Sequence, residues 1–155
     1  MTRNHTYNTT VTWTGNQGTG TSGYRDYSRA HDLAAEGPPV IAGSSDPAFR
    51  GDPARWNPEQ LLVGSLSQCH MLSYLHQCAV AGVVVTDYTD DAVGTMAESG
   101  VGGHFTEVVL RPEVTVAAPE MAEAALRLHE DAHKACFIAA SVNFPVRHEP
   151  TVRTA

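Results

Sequence analysis

The sequence is short of cations and of cysteine. Of its 155 residues, ten are Lys or Arg and 17 are Asp or Glu, the formal net charge is −7 at pH 7, and Lys134 is the single lysine. No basic patch is visible, so we expect no nucleic-acid partner. Three cysteines are too few for a disulfide framework, and each is either a small buried residue or a reactive thiol.

Long apolar runs are missing as well. No stretch approaches the roughly 20 residues that a helix needs to cross a bilayer, and residues 1–12 lack the apolar centre of a secretory signal. We therefore expect no membrane partner and a cytoplasmic location, where thiols stay reduced. The length and the hydrophobic fraction of 42% are those of one folded domain, expected over residues 1–155.

Two helices are predicted. The first extends from Asn57 to about Ala81, because Asn, Pro and Glu are favoured at its first three positions and Gly82 follows its end. The second begins after Pro119 and reaches about Cys136, through a segment rich in Ala, Leu and Glu. We expect the first helix to be largely buried. One side of it is predicted to carry Leu62, Leu66, Cys69, Ser73, His76 and Val80.

The remaining segments predict strands and loops. Alternating or β-branched patterns indicate strands at Thr6–Thr14, Val83–Met96, His104–Val116 and Val142–Val146. Tyr24–Leu33 is either a strand or irregular, Gly37–Trp56 is predicted to be a long loop, and the chain from Pro150 to be a frayed tail. The order of strands, helix, strands, helix and strand indicates an α+β fold.

Two short motifs each allow a functional and a structural interpretation. Gly18–Gly23 matches the dinucleotide pattern G-x-G-x-x-G, but no helical pattern follows to hold a pyrophosphate, so a hairpin loop is preferred. His129-Glu130-Asp131-Ala132-His133 matches the zinc peptidase pattern H-E-x-x-H on a predicted helix. A solvated helical face is the alternative, since no further ligand motif follows.

Cys69 and Cys136, one on each predicted helix, suggest thiol chemistry. A thiol peroxidase needs a thiolate, which a positive neighbour favours by lowering the cysteine pKa from about 8.5. It also needs a second thiol that captures the sulfenic acid before further oxidation, and an arginine that a carboxylate holds in place. Cys78 is predicted to be structural, because nine residues along a helix place it on the face opposite Cys69, roughly 13.5 Å away.

Three segments carry a family resemblance: Asn57-Pro58-Glu59-Gln60-Leu61-Leu62, Ser65-Leu66-Ser67-Gln68-Cys69-His70-Met71-Leu72 and Ala132-His133-Lys134-Ala135-Cys136. They resemble the two cysteine motifs of the OsmC/Ohr family, the osmotically inducible and organic hydroperoxide resistance proteins. The resemblance implies an OsmC-like fold, with antiparallel sheets around two central helices, in an intertwined homodimer. It also implies a peroxidase that reduces alkyl or lipid hydroperoxides without a metal, flavin or nucleotide cofactor.

The resemblance also implies roles for individual residues. Cys69 is then the peroxidatic nucleophile and Cys136 the resolving thiol, and a dithiol, such as a lipoylated protein, reduces their disulfide. Glu59 and an arginine assist, with Arg50 as our choice and Arg25 as the alternative. Phe137 departs from the proline that commonly follows the second cysteine in hydroperoxide resistance members.

Helix geometry bears on the homodimer. Ten residues separate Glu59 from Cys69, which corresponds to a rise of roughly 15 Å along one helix. Antiparallel pairing of two copies of this helix could bring Glu59 of one subunit towards Cys69 of the other. Two other functions stay open. One is a non-enzymatic protein that binds an apolar ligand in the buried pocket where a peroxidase would bind its substrate, and the other is the zinc peptidase.

Overall fold

The computed structural model describes residues 3–155, so the first two residues of the expected domain lie outside the described residues. The fold divides into two compact units, Met1–Leu61 and Leu62–Ala155. The boundary between them falls within the first helix. No helix in residues 3–155 combines the length and apolar character that crossing a membrane requires.

The first unit contains a three-stranded antiparallel sheet. Its strands are β1 (Thr10–Trp13), β2 (His31–Ala34) and β3 (Ile41–Gly43), in that order across the sheet. The ambiguous segment before residue 33 therefore ends in a strand. The prediction of a continuous loop over residues 37–56 was wrong at β3 and at a 3-10 turn, Pro47–Phe49. A three-residue strand is too short to show an alternating pattern.

Helix α1 (Pro58–Ala81) agrees with the prediction at both ends. The Asn57 side-chain oxygen accepts a hydrogen bond from the Gln60 N–H at 2.8 Å, and the Asn57 N–H donates to Gln60 Oε1 at 3.2 Å. This reciprocal pair satisfies two donors at the start of the helix. Gly82 follows the last turn with a φ of 73°, a left-handed conformation that favours glycine.

Six strands and the second helix make up the rest of the second unit. They are β4 (Val85–Asp90), β5 (Val93–Ser99), β6 (Gly102–Leu110), β7 (Pro112–Val116), α2 (Ala122–Ala135), β8 (Val146–His148) and β9 (Thr151–Thr154). The two long strands predicted before α2 are therefore four. The predictions of a strand at Val142–Val146 and of a frayed tail were wrong, since β8 begins at Val146 and β9 lies in the tail.

The six strands form two mixed sheets, β4-β7-β9 and β5-β6-β8. β4 and β7 are antiparallel, as are β5 and β6, whereas β8 lies parallel to β6 and β9 parallel to β7. Parallel pairing with a distant strand is what orders the C-terminal segment, and local patterns in the sequence do not report it. The α+β class with two helices is confirmed.

Two apolar clusters connect α1 to these sheets. Leu66 packs with Val108 and Leu110 of β6 in one cluster. Tyr74 and Cys78, two and three turns further along α1, belong to the other. That second cluster also contains Val83, Val114, Val116, Ala125, Leu128 and Ala132. The first half of α1 therefore covers one sheet, and its second half is buried against β7 and α2.

The buried side of α1 differs from the predicted one. Its fully buried residues are Leu66, His70, Tyr74 and Cys78, spaced four apart, and of these the prediction contained Leu66 alone. Val80 is 73% exposed, so the expectation of a largely buried helix was also wrong. A histidine and a tyrosine occupy the buried line, where His70 Nε2 and the Tyr74 hydroxyl find hydrogen-bond partners, while His70 Nδ1 has none within residues 3–155. A pattern of apolar residues does not reveal such a line.

Candidate active site

Cys136 lies at the C-terminal end of α2, in a tight turn. Its N–H donates to the His133 carbonyl oxygen at 3.2 Å, and its own carbonyl accepts from the Ala140 N–H at 3.1 Å. The Ala139 N–H points at the Cys136 sulfur, 3.4 Å away. Only 2% of the residue is exposed. The turn therefore fixes the position of a buried thiol.

The structure brings this thiol together with Cys69 of α1. The Cys69 side chain is a direct neighbour of Cys136 and interacts with its thiol, and Cys69 is the more exposed of the two. Burial, followed by the interaction with Cys69, raises the pKa of Cys136 to about 11, against the opposing effect of the Ala139 and Ile138 N–H groups. Cys136 is therefore a protonated thiol at neutral pH. Two cysteines that are 67 residues apart in the sequence thus form one dithiol.

Cys78 lies away from this dithiol, as expected, and is 1% exposed. Burial raises its pKa, and the neighbouring Tyr74 side chain opposes that rise. Tyr74 in turn donates to the Ala125 carbonyl oxygen at 3.0 Å. An open apolar groove of about 330 Å³ adjoins Cys78. The groove is lined by Leu75, Cys78, Ala79, Gly82, Val83, Val84 and Val85.

Glu59 and Arg50 belong to the first unit. Glu59 occupies the first turn of α1 and is partly buried, and within residues 3–155 its buried Oε2 atom has no hydrogen-bond partner. Arg50 is exposed and ends the 3-10 turn with a φ of 66°. Arg25, the alternative arginine, is also exposed in the loop between β1 and β2. The carboxylate is therefore buried without a partner, and both candidate arginines are solvent-accessible.

Two further arginines of the first unit, Arg29 and Arg55, are partly buried, and neighbouring groups hold both side chains. The Arg29 guanidinium lies over the rings of Tyr24 and Tyr27, 4.4 and 4.1 Å from their centroids, and donates to both carbonyls. Arg55 donates to the His31 carbonyl oxygen at 3.3 Å and forms an ion pair with Asp32 at 3.9 Å. These contacts give both side chains structural roles.

A group of stacked histidines lies in the second unit, and the sequence analysis did not find it. His70 Nε2 and His129 Nδ1 are 3.0 Å apart in a hydrogen bond, and their rings are nearly parallel, with centroids 5.3 Å apart. His129 also stacks on Tyr74 at 3.8 Å. His148 of β8 lies 5.5 Å from His70, and His133 lies 5.6 Å from His148. We call these four histidines the histidine stack.

The stack bears on the zinc peptidase motif. His129 is fully buried, one of its nitrogens is bonded to His70, and its ring lies against Tyr74. Glu130 forms an ion pair with Lys134 at 3.6 Å and lies 3.7 Å from His148. In residues 3–155 no three His, Cys, Asp or Glu side chains are arranged to hold a metal ion. His129 Nε2 is buried without a hydrogen-bond partner within residues 3–155, and no group of metal-ligating side chains converges on it there.

The glycine-rich motif lies in the loop between β1 and β2. The Asn16 side-chain oxygen accepts hydrogen bonds from the N–H groups of Gly18 and Gly20, at 2.9 and 3.1 Å. The next regular element is strand β2, so no helix N-terminus follows Gly23. The preference for a hairpin loop over a dinucleotide site is confirmed.

The fold and the dithiol together define a small α+β protein with one cysteine on its first helix and the other directly after its second helix. The family model described as OsmC-like protein matches residues 51–151. This chain therefore belongs to the OsmC-like family, as the cysteine motifs predicted. A search of the curated proteins found no match.

Solved structures agree with this assignment. An OsmC-like protein of unknown function from Vibrio cholerae O1 biovar eltor is 33% identical, with a TM-score of 0.84 over 95% of this chain and 99% of that one. An organic hydroperoxide resistance protein from Elizabethkingia anophelis is 18% identical, with a TM-score of 0.70 over the full length of both chains. An organic hydroperoxide resistance protein OsmC from Legionella pneumophila is 17% identical, with a TM-score of 0.68 over 97% and 98%.

Proposed function

We propose that this protein is a thiol peroxidase that reduces organic hydroperoxides, with Cys69 as the nucleophile and Cys136 as the resolving thiol. The observation that carries the proposal is the neighbouring pair of Cys69 and Cys136 thiols in a chain of the OsmC-like family. Two structural neighbours are named organic hydroperoxide resistance proteins, which supports a peroxidase-like role.

The proposed cycle has three balanced steps. The Cys69 thiolate attacks one oxygen of the hydroperoxide, the O–O bond breaks, and the alkoxide takes a proton and leaves as an alcohol, so that Cys69 becomes a sulfenic acid. The Cys136 thiol then attacks the Cys69 sulfur and displaces water, which forms the Cys69–Cys136 disulfide. An external dithiol reduces that disulfide by exchange and is itself oxidised to a disulfide.

The geometry supports this order of roles. A peroxidatic cysteine must meet a substrate from outside, and Cys69 is more exposed than Cys136. The raised pKa of Cys136 keeps it protonated, and a thiol is a much weaker nucleophile than a thiolate. Cys136 is thus poorly suited to attack peroxide itself but is already in contact with the sulfur on which the sulfenic acid would form.

We further propose that the site is completed in a homodimer by Glu59 and Arg50. A carboxylate oxygen that is buried without a partner is costly, and Glu59 Oε2 is in that position within residues 3–155. An arginine from a second copy would satisfy it in a paired hydrogen bond. α1 also exposes apolar side chains that a partner could cover: Leu72, Leu75 and Val80.

The proposed partners follow from this chemistry. The substrate is an organic hydroperoxide, and the reductant is a dithiol such as a lipoylated protein. We propose a cytoplasmic location, because three free cysteines suit a reducing compartment.

The groove beside Cys78 favours a second candidate function, the binding of an apolar ligand. Its lining consists of aliphatic residues and one thiol, within about 330 Å³, a volume at the lower end for small-molecule sites. This groove is not the dithiol site, so a ligand there would not require Cys69. Binding of a fatty acid to the Cys69→Ser variant with unchanged affinity would support this function.

A steady-state assay with cumene hydroperoxide and dihydrolipoamide tests the peroxidase. The wild-type protein should consume peroxide with multiple turnovers, and Cys69→Ser should fall to the background rate, because serine is not deprotonated at neutral pH. Cys78→Ser is the matched control on the same helix and should retain turnover. Retention of most activity in Cys69→Ser would contradict the assignment of the nucleophile.

A further inference from the structure

The histidine stack joins three elements of the second unit at one buried point. His70 belongs to α1, His129 and His133 belong to α2, and His148 belongs to β8. His70 and His129 are 1% and 0% exposed. The bond between them, 3.0 Å from nitrogen to nitrogen, requires one imidazole to donate and the other to accept. Two imidazolium rings can only donate, so this bond exists only while at least one ring is neutral.

We propose that the histidine stack is an acid-sensitive lock, which holds α1, α2 and β8 together while its rings are neutral and releases them when they are protonated. The short distances between the rings support this proposal. With centroids 5.3 Å apart for His70 and His129 and 5.5 Å for His70 and His148, positive charge on one ring repels charge on the next.

The groups that face the stack provide little compensation for such a charge. From α2, Glu130 approaches His148 at 3.7 Å, but its carboxylate side chain is 57% exposed. From α1, Tyr74 covers His129. From β4, Tyr88 packs against Tyr74, with ring centroids 5.9 Å apart, and Asp90 lies near it. Burial raises the pKa values of both tyrosines, so they remain neutral. A proton on His70 or His129 would therefore lack a buried counter-charge.

Burial, followed by repulsion from the neighbouring histidines, lowers the pKa of His70 to about 4 and that of His129 to about 3. Both values lie below the ordinary 6.5, so the unfolded chain binds these protons first as the pH falls. The stabilisation is complete above about pH 6.5 and is lost progressively between pH 6.5 and the folded-state values. Acid therefore opens the lock by favouring the state in which the imidazoles reach water.

The lock has a consequence for the dithiol that rests on the proposed function. His70 directly follows Cys69 on α1, and Cys136 directly follows the last residue of α2. When the contact between α1 and α2 is released, Cys136 no longer has a fixed position beside Cys69. The disulfide would then form more slowly, and a sulfenic acid at Cys69 would stay exposed to further oxidation.

Urea unfolding of the full chain at pH 7.5 and pH 5.0, at constant ionic strength, tests the lock without reference to peroxidase activity. Each buried histidine should raise the unfolding equilibrium constant about 30-fold between these pH values. The double variant His70→Gln, His129→Gln should lose this contribution from both positions. His76→Gln, which alters an exposed histidine of the same helix, should keep the wild-type pH dependence. Equal pH dependence in the wild type and the double variant would overturn the proposal.

A measurement on the wild-type protein decides the matter if the double variant does not fold. NMR titration of the imidazole signals from pH 8 to pH 5 should show that His70 and His129 stay neutral in the folded protein. Titration of His70 or His129 near pH 6.5 with no loss of structure would overturn the proposal. Either result leaves the assignment of Cys69 as nucleophile to be judged by the peroxide assay alone.

Discussion

Two neighbouring residues of α1 each contact a partner at or near the end of α2, and the two contacts differ in kind. Cys69 contacts Cys136 and is partly exposed, so its sulfur can meet a small molecule from solvent. His70 contacts His129, and both rings are buried. A small molecule can therefore reach the cysteine contact from solvent, whereas the histidine contact is buried. We infer that α1 and α2 are held together by the histidines, and that the cysteines use the proximity which results.

The comparison separates reactivity from stability. Removing the Cys69 thiol should change the chemistry and leave the folded state nearly unaffected, since Cys69 is partly exposed. Removing a buried polar group near the histidine stack should weaken the folded state, because a lost partner leaves a desolvated atom unsatisfied. We expect the largest effect from a substitution in the dithiol, a smaller effect from substitutions of the buried tyrosines and the smallest from a substitution of Cys78.

Among these variants, Cys136→Ser is expected to have the largest effect. Without the resolving thiol, Cys69 should complete one turnover and then accumulate as sulfinic acid under repeated peroxide additions. Mass spectrometry of the intact protein checks this result, with two added oxygens on Cys69 as the expected product. Cys78→Ser is the control and should not accumulate the sulfinic acid. Sustained turnover of Cys136→Ser with dihydrolipoamide, without over-oxidation, would contradict the resolving role.

Tyr74 and Tyr88 form a matched pair that tests the buried side of the comparison. Tyr74→Phe removes the hydroxyl that donates to the Ala125 carbonyl at 3.0 Å, and should lower the free energy of unfolding by about 1–3 kcal/mol. Tyr88→Phe removes a buried hydroxyl that has no hydrogen-bond partner within residues 3–155, and should cost almost nothing. Urea unfolding at pH 7.5 gives both values. Equal losses in the two variants would contradict the structural role given to Tyr74.

The smallest expected effect is that of Cys78→Ala. The thiol is buried beside Tyr74 and apart from the dithiol, so peroxide turnover should stay near the wild-type value. The unfolding free energy should fall by about 1 kcal/mol, because a small buried group is lost. A steady-state assay and a urea titration of the same preparation provide both numbers. A large loss of turnover at unchanged stability would show that Cys78 takes part in the chemistry.

The difference between the two contacts also explains what the sequence could predict. Helix α1 has a complete set of start and stop signals, from the Asn57 cap to Gly82, and its bounds were predicted correctly. Cys69 and Cys136 belong to motifs that resemble those of the family, so the sequence predicts that they act as a pair. The histidine stack has no such signal, because His70, His129 and His148 come from three distant segments. His70 is part of the four-residue spacing of Leu66, His70, Tyr74 and Cys78, which a search for apolar residues overlooks.

The strands show the same limit. β9 was predicted to be a frayed tail, since Thr151–Thr154 is short and follows a proline. It is ordered by parallel pairing with β7, where Val114 lies opposite Val152. Such a contact between distant segments is a property of the tertiary fold and overrides local preference.

Peptide mapping after the addition of one equivalent of cumene hydroperoxide tests the central claim most directly. The reduced wild-type protein is oxidised, free thiols are blocked with an alkylating agent, and the digest is analysed without reduction. The account predicts a cross-linked peptide that joins Cys69 to Cys136, with Cys78 alkylated. A disulfide that contains Cys78, or full alkylation of Cys69 after peroxide has been consumed, would contradict it.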